Sequence, residues 1–192
     1  MSEGVTSRYE KRENADKKEI ETLHNESSQV SKLLGAKDLF MFGLPDNRFD
    51  TVPLLDIIKI IEELIQKLSP SVIFTHYISD LNIDHTILSR AVITATRPTI
   101  KDYCVKEIYS FEVPSSTEWS FGQINQLFNP NYFINIESTI DTKIEAMEIY
   151  ENEKRLYPHP RSPEGLTAIA RKWGTTVGVD YAEAFSLVRK LL

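Results

Sequence analysis

The chain has 192 residues, 41% of them hydrophobic, which is enough for one sizeable core, so we predict a single domain over residues 1–192. Its net charge of −6, with both signs mixed along the chain, provides no basic stripe for a phosphate backbone and argues against a nucleic-acid partner. The lone Cys104 excludes an internal disulfide, and no apolar run reaches the roughly 18 residues of a membrane span, so we expect a cytoplasmic protein.

The first half of the chain predicts helices and short buried strands. The elements are a largely solvated helix over 8–34, a strand over 39–42, an amphipathic helix over 51–68 and a strand over 71–75. After that strand, Asp80 or Asn82 is placed to cap a further helix, which Pro98 ends.

The second half continues the alternation. We predict a strand over 104–113, a short strand within 129–136, a helix over 137–153 and a helix over about 163–172, whereas the final residues carry no clear pattern. Strands that alternate with helices favour an α/β fold with a mainly parallel sheet.

The segment THYISDLNIDHTILSRA, residues 75–91, collects polar side chains where the second predicted strand ends. In α/β sheets, ligands bind beyond the carboxyl ends of the strands. A catalytic zinc takes three ligands from His, Asp and Glu and leaves one position for water. His85, in the first turn of a helix with Asp84 beside it, would supply one ligand and a carboxylate that orients ligands or substrate.

A structural interpretation of the same residues is equally open from spacing alone. Asp80 and Asn82 are typical helix caps, and Asp84 would favour the positive end of the helix dipole. His76 and His85 would then only line a pocket or the surface.

Several segments of the chain resemble the LmbE-like de-N-acetylases, the PIG-L family. THYISDLNIDHTILSRAV resembles the second conserved motif of that family, SEGVTSR the loop after its second strand, and FGLPDNRFD its Leu-Pro-Asp loop. FNPNYFINI, KIEAMEIYENE and PRSPEGLTAIARKWGTTVGVDYAEAF are similar to its C-terminal half in order and spacing. The resemblance covers nearly the whole chain.

The resemblance implies a Rossmann-like, doubly wound sheet with helices on both faces and a zinc-dependent hydrolase that removes the acetyl group of an N-acetylated sugar. It assigns the metal to His85 and places Asp84 in the same motif. Asn82 stands where many members have a His that acts on the developing oxyanion, and His76 is a further candidate for that role.

The resemblance also suggests substrate contacts. Arg8 and Asp46 lie in loops that face the sugar in the family, and arginine suits bidentate contacts with phosphate or carboxylate. Arg97, before the proline that ends a predicted helix, either reaches the pocket or only finishes the helix.

One family feature is absent from these residues. The family opens with a strand and an Ala-His-Pro-Asp-Asp-Glu motif, which supplies two metal ligands and the general base, and no such motif occurs here. We therefore expect the first strand and helix of the fold to be missing and the chain alone to be inactive. Either Met1 is an internal methionine of a longer protein, or the missing part comes from elsewhere. Unpaired strand edges would favour a homo-oligomer. The rival hypothesis is a non-catalytic sugar-binding or assembly subunit.

Overall fold

The computed structural model describes residues 1–98, 104–124 and 126–192. The helices in these residues are α1 (Lys17–Leu33), α2 (Leu54–Leu68), α3 (Ile83–Ala95), α4 (Ile140–Ile149) and α5 (Pro163–Val177). The strands are β1 (Val72–His76), β2 (Glu107–Phe111), β3 (Tyr132–Asn135) and β4 (Ala182–Lys190).

The described residues divide into two compact units. The first unit contains Met1–Asn47 and Ile134–Glu183, and the second contains Arg48–Phe133 and Ala184–Leu192. A single domain over 1–192 stays a prediction.

The first unit contains a small apolar cluster between α4 and α5. Ile136, Ile140 and Ala170 are buried, with Ile144 and Tyr181 packed against them. The helix predicted over 137–153 is observed as the shorter helix α4, Ile140–Ile149.

Helix α5 has strong signals at both ends. Ser162 accepts a hydrogen bond from the backbone N–H of Gly165, and Pro163 occupies the first turn, where its missing N–H costs nothing. The helix ends at Val177, and the following Gly178 has a φ of 83°, which is left-handed backbone that glycine adopts readily. The predicted helix over 163–172 is confirmed and continues to Val177.

Two predictions at the start of the chain are corrected. The helix predicted over 8–34 begins only at Lys17, because Asp16 caps it by accepting from the N–H of Lys18. The strand predicted over 39–42 is not formed. The backbone there makes only an isolated bridge between Ser2 and Leu44, which does not extend into a ladder.

The four described strands form a sheet in the order β1-β2-β4-β3. β1 and β2 are parallel, with His76 opposite Phe111, whereas β2 and β4 are antiparallel. The α/β fold class is confirmed, and the sheet is mixed. β4 provides the antiparallel neighbour of β2, and the sequence pattern had not predicted this strand.

Two helices of the second unit position the end of β1. α2 buries Ile57, Ile58 and Ile61 and packs against α3, which in turn packs against β1. α3 begins directly after the loop that follows β1, as its pattern predicted. Of the helices in the described residues, none is long and apolar enough to cross a bilayer.

Candidate functional site

The carboxyl ends of β1 and β2 lie at the same edge of the sheet, because the two strands are parallel and in register from Val72 with Glu107 to His76 with Phe111. The loop after β1 therefore meets the turn after β2. The contact between them is made by Asp80, which is fully buried. This is the edge at which α/β sheets bind ligands.

Asp80 is held by hydrogen bonds from both loops. Its Oδ1 accepts from the backbone N–H of Asn82 at 2.9 Å and from the hydroxyl of Ser116, and its Oδ2 accepts from Thr117 Oγ1 at 2.6 Å. Burial alone would raise the pKa of Asp80, but His85 and these donors outweigh burial and lower the pKa below its usual value. The site thus holds a buried carboxylate in its charged form.

His85 lies next to this carboxylate. Its Nδ1 is 3.0 Å from Asp80 Oδ1, and the imidazole is about one-fifth exposed. Nδ1 is itself buried and has no partner with full hydrogen-bond geometry in the described part of the chain, so the contact with Asp80 is close but not linear. Asp80 faces Nδ1 of His85, which leaves Nε2 as the ring nitrogen that could bind a ligand.

His76, the last residue of β1, completes the cluster. Its ring stacks on His85 with centroids 4.1 Å apart and packs beside Phe111 at 4.9 Å. Its Nδ1 is buried without a hydrogen-bond partner among the described residues. Burial, together with the nearby His85, lowers the pKa of His76 to about 3, so this imidazole is neutral near pH 7.

Asp84 and Asn82 both make structural hydrogen bonds. Asn82 is the N-cap of α3, where its Oδ1 accepts from the N–H of Asp84 at 2.9 Å. Asp84 is buried, and its Oδ1 accepts from the N–H of Phe49 at 2.9 Å, which ties α3 to the turn before α2. The predicted catalytic roles of Asp84, Asn82 and His76 stay predictions.

The three predicted substrate contacts occur in different units. In the first unit, Arg8 forms an ion pair with Glu153, and Asp46 accepts from Ser7 Oγ at 2.5 Å. In the second unit, the Nε of Arg97 donates to Thr94 O at 2.8 Å, which finishes the last turn of α3. Each side chain has a local partner, and substrate binding by any of them stays a prediction.

Comparison with known protein families identifies the family of this chain. The family described as "PIG-L: GlcNAc-PI de-N-acetylase" matches residues 1–96, which is half of the chain. The chain belongs to the PIG-L family. The match contains β1, the loop after it and the whole of α3, and therefore His76, Asp80 and His85.

Solved structures share the fold at low sequence identity. The conserved protein TT1542 from Thermus thermophilus is 24% identical with a TM-score of 0.70, covering 93% of this chain and 77% of that protein. The N,N'-diacetylchitobiose deacetylase from Pyrococcus horikoshii is 17% identical with a TM-score of 0.69, covering 89% of this chain and 64% of that enzyme. GalB, the 4-carboxy-2-hydroxymuconate hydratase from Pseudomonas putida, is 18% identical with a TM-score of 0.69, covering 97% of this chain and 78% of that enzyme. This PIG-L chain thus shares its fold with a deacetylase and with a hydratase.

The zinc ion that the PIG-L family implies can be tested against these side chains. His85 fits one ligand, because a carboxylate beside the second ring nitrogen is the usual support of a metal-binding imidazole. Within residues 1–98, 104–124 and 126–192, however, no three His, Cys, Asp or Glu side chains are grouped to hold a metal. The described residues fit a single imidazole ligand and its support, and do not fit a complete zinc site.

Sequence reasoning missed Ser116 and Thr117, which bind Asp80 in this PIG-L chain. A signal for them existed. The run Ser115-Ser116-Thr117 follows a predicted strand, just as the polar segment 75–91 follows the preceding one, and parallel neighbours bring such segments together. Identifying this pair required knowing that β1 and β2 are adjacent and parallel.

Proposed function

We propose that this chain carries the second-motif part of an N-deacetylase site, and that a form which includes the first family motif hydrolyses the N-acetyl group of an amino-sugar derivative. The observation that carries this proposal is the placement of His85 Nδ1 3.0 Å from the buried carboxylate of Asp80, at the carboxyl end of β1. The family match supports the reaction, and the diacetylchitobiose deacetylase with the same fold supports the substrate class.

Each residue of the cluster has a distinct part in this proposal. His85 is the metal ligand that the described residues supply, and Asp80 orients its imidazole. His76 remains neutral near pH 7 and is a candidate for contact with the reacting carbonyl, together with Asn82. Asp84 keeps the backbone of Phe49 in place beside α3. Arg8, Asp46 and Arg97 are candidates for contacts with the substrate.

Metal binding tests the proposal that this chain supplies only part of the zinc site. With one supported imidazole, the 192-residue chain should bind well under one zinc per chain, whereas a chain extended by a family segment with the Ala-His-Pro-Asp-Asp-Glu motif should bind zinc tightly. Elemental analysis after dialysis gives the stoichiometry, and acetate release from an N-acetylglucosamine derivative gives the activity. One zinc per chain in the 192-residue form would mean that further ligands exist among these residues.

A second candidate is a non-catalytic sugar-binding or assembly subunit. The incomplete ligand set of the described residues favours it, and the GalB hydratase shows that the fold also occurs in an enzyme named for a different reaction. Calorimetric titration of the metal-free chain with N-acetylglucosamine oligosaccharides separates the candidates. Sugar binding without zinc, combined with no acetate release by the extended chain, would favour the subunit.

We also propose that the chain forms a homo-oligomer and that it is cytoplasmic. β1 lies at one end of the described strand order, and the side chain of Phe74 on it is about half exposed. An edge strand with apolar side chains is prone to pair with another chain. Multi-angle light scattering of the purified chain should give a mass above the 22.1 kDa of one protomer. A stable monomer would exclude the oligomer.

A further inference from the structure

We propose that Ser116 and Thr117 are positioning residues for His85, which they orient through the carboxylate of Asp80. The two hydroxyls fix the carboxylate, and the carboxylate fixes the imidazole in the tautomer that carries its proton on Nδ1. The inference rests on the proposed function, because it gives Nε2 of His85 the lone pair that a metal ligand needs.

The carboxylate of Asp80 has donors at both oxygens. The hydroxyl of Ser116 donates to Oδ1, and Thr117 Oγ1 donates to Oδ2 at 2.6 Å. The backbone N–H of Asn82 adds a third bond to Oδ1. Because Asp80 is fully buried, water does not compete for these positions, and the hydroxyls determine the plane in which the carboxylate faces His85.

The contact with Asp80 decides between the two neutral forms of His85. Nδ1 lies 3.0 Å from Oδ1 and is buried, with no other partner among the described residues. If Nδ1 carried a lone pair, that lone pair would face a negative oxygen at this distance and be repelled. If Nδ1 carries the proton, the positive end of the N–H bond lies near the negative carboxylate and is attracted, even though the contact is not linear.

Thr117 connects this carboxylate to the shape of the turn after β2. Its Oγ1 accepts from the backbone N–H of Val113 at 2.7 Å while donating to Asp80. The N–H groups of Ser116 and Thr117 both donate to Val113 O at 3.0 Å, which closes the turn. One hydroxyl therefore holds the turn and the carboxylate together, so the turn cannot change shape without moving Asp80.

The experiment reads the tautomer of each imidazole in the metal-free 192-residue chain. Long-range ¹H–¹⁵N correlation spectra, recorded with a chelator at mildly alkaline pH, distinguish a protonated ring nitrogen from an unprotonated one. His85 should show the Nδ1–H form. His159 is an internal reference of the opposite kind, because its Nδ1 accepts from the N–H of Arg161 at 3.1 Å and its proton must be on Nε2.

Matched variants test the two hydroxyls. Thr117→Val keeps the shape of the side chain but removes its hydroxyl, and Ser116→Ala removes the other hydroxyl. Each should raise the fraction of the Nε2–H form of His85, because the plane of the carboxylate is then no longer fixed toward Nδ1. Thr117→Ser keeps the hydroxyl and should resemble the wild type. The spectrum of His159 should not change in any variant.

Two results would overturn the proposal. One is an Nε2–H form of His85 in the wild type, and the other is an unchanged tautomer in both Ser116→Ala and Thr117→Val. If Thr117→Val does not fold, Ser116→Ala decides, since it removes no turn contact that the structure shows. These spectra require neither metal nor turnover. If the tautomers follow the prediction but the extended chain releases no acetate, the proposed function fails and the positioning of the imidazole stands.

Discussion

The imidazoles of His76 and His85 stack in the second unit, with their centroids 4.1 Å apart and their planes inclined by 20°. Two charged imidazoles at this distance would repel, and burial adds a desolvation cost for His76. The pair is therefore stable only while His76 is neutral. This requirement couples the stability of the second unit to pH.

The first prediction concerns acid sensitivity of the metal-free chain. The pKa of His76 is lowered from 6.5 to about 3 on folding, so between these values the unfolded chain binds a proton that the folded chain does not. Stability from this residue is complete above pH 6.5 and is lost as the pH falls toward 3. Between about pH 7 and pH 5 the loss from this one residue should be at most about 2 kcal/mol, measured by urea unfolding with a chelator present.

The matched control for this effect is His76→Phe. Phenylalanine keeps an aromatic ring beside Phe111 and cannot be protonated. The free energy of unfolding of this variant should fall less steeply than that of the wild type over the same pH range. Identical pH profiles for the variant and the wild type would show that His76 binds its proton equally in both states.

The second prediction concerns Asp84. Asp84→Ala leaves the buried N–H of Phe49 without its acceptor and should lower the free energy of unfolding by about 1–3 kcal/mol. Asp84→Asn keeps a carbonyl oxygen at the same position and should cost less. Asp50→Ala, at an exposed residue of the adjoining turn, is the control and should change stability by less than about 0.5 kcal/mol. Equal unfolding midpoints for all three variants would contradict the assigned contact.

The third prediction separates the two interpretations of Asn82. Asn82→Ala removes the N-cap of α3 and should cost about 1 kcal/mol in thermal unfolding, and Asn82→Ser should recover most of it. In the extended chain, loss of an oxyanion hydrogen bond would reduce turnover by about 10²- to 10³-fold. A destabilised Asn82→Ala variant with unchanged turnover would assign Asn82 to the cap alone.

Local signals gave most of the elements correctly. The cap at Asn82 marks the start of α3, and the start predicted for the helix at about residue 163 agrees with α5, because such starts depend on neighbouring backbone groups. The end of α5 lies five residues beyond the predicted end at 172. The strand predicted over 39–42 failed for a non-local reason. An apolar run becomes a strand only where a partner extends the ladder, and in the described residues this region pairs only through the bridge between Ser2 and Leu44.

The candidate site shows the same boundary between local and non-local information. The sequence predicted His85 and its position after a strand, and the family relationship of this region is confirmed. The sequence did not predict the contacts of Asp80, which it indicated only as a possible helix cap. In the structure this carboxylate lies between His85 and two hydroxyls. That contact depends on the parallel pairing of β1 with β2, over a sequence separation of 36 residues between Asp80 and Ser116.

The fourth prediction tests Arg8. Its ion pair with Glu153 is partly solvent-exposed, so Arg8→Ala should change the free energy of unfolding by less than about 1 kcal/mol. If Arg8 contacts the substrate, the same variant of the extended chain should have a raised KM with a nearly unchanged kcat. Arg12→Ala, which removes a similar ion pair with Glu3 in the same unit, is the control. A KM that is equal in both variants would remove Arg8 from the proposed substrate contacts.

The most direct test of the account is acetate release from an N-acetylglucosamine oligosaccharide by the extended chain and its His85→Ala variant. His85 is the one supported metal ligand among the described residues, so the variant should lose acetate release while its unfolding curve remains cooperative. His24→Ala, on α1 in the first unit, is the control and should keep its activity. Full acetate release by His85→Ala would contradict the assignment of the site, and no release by the extended wild type would contradict the deacetylase function.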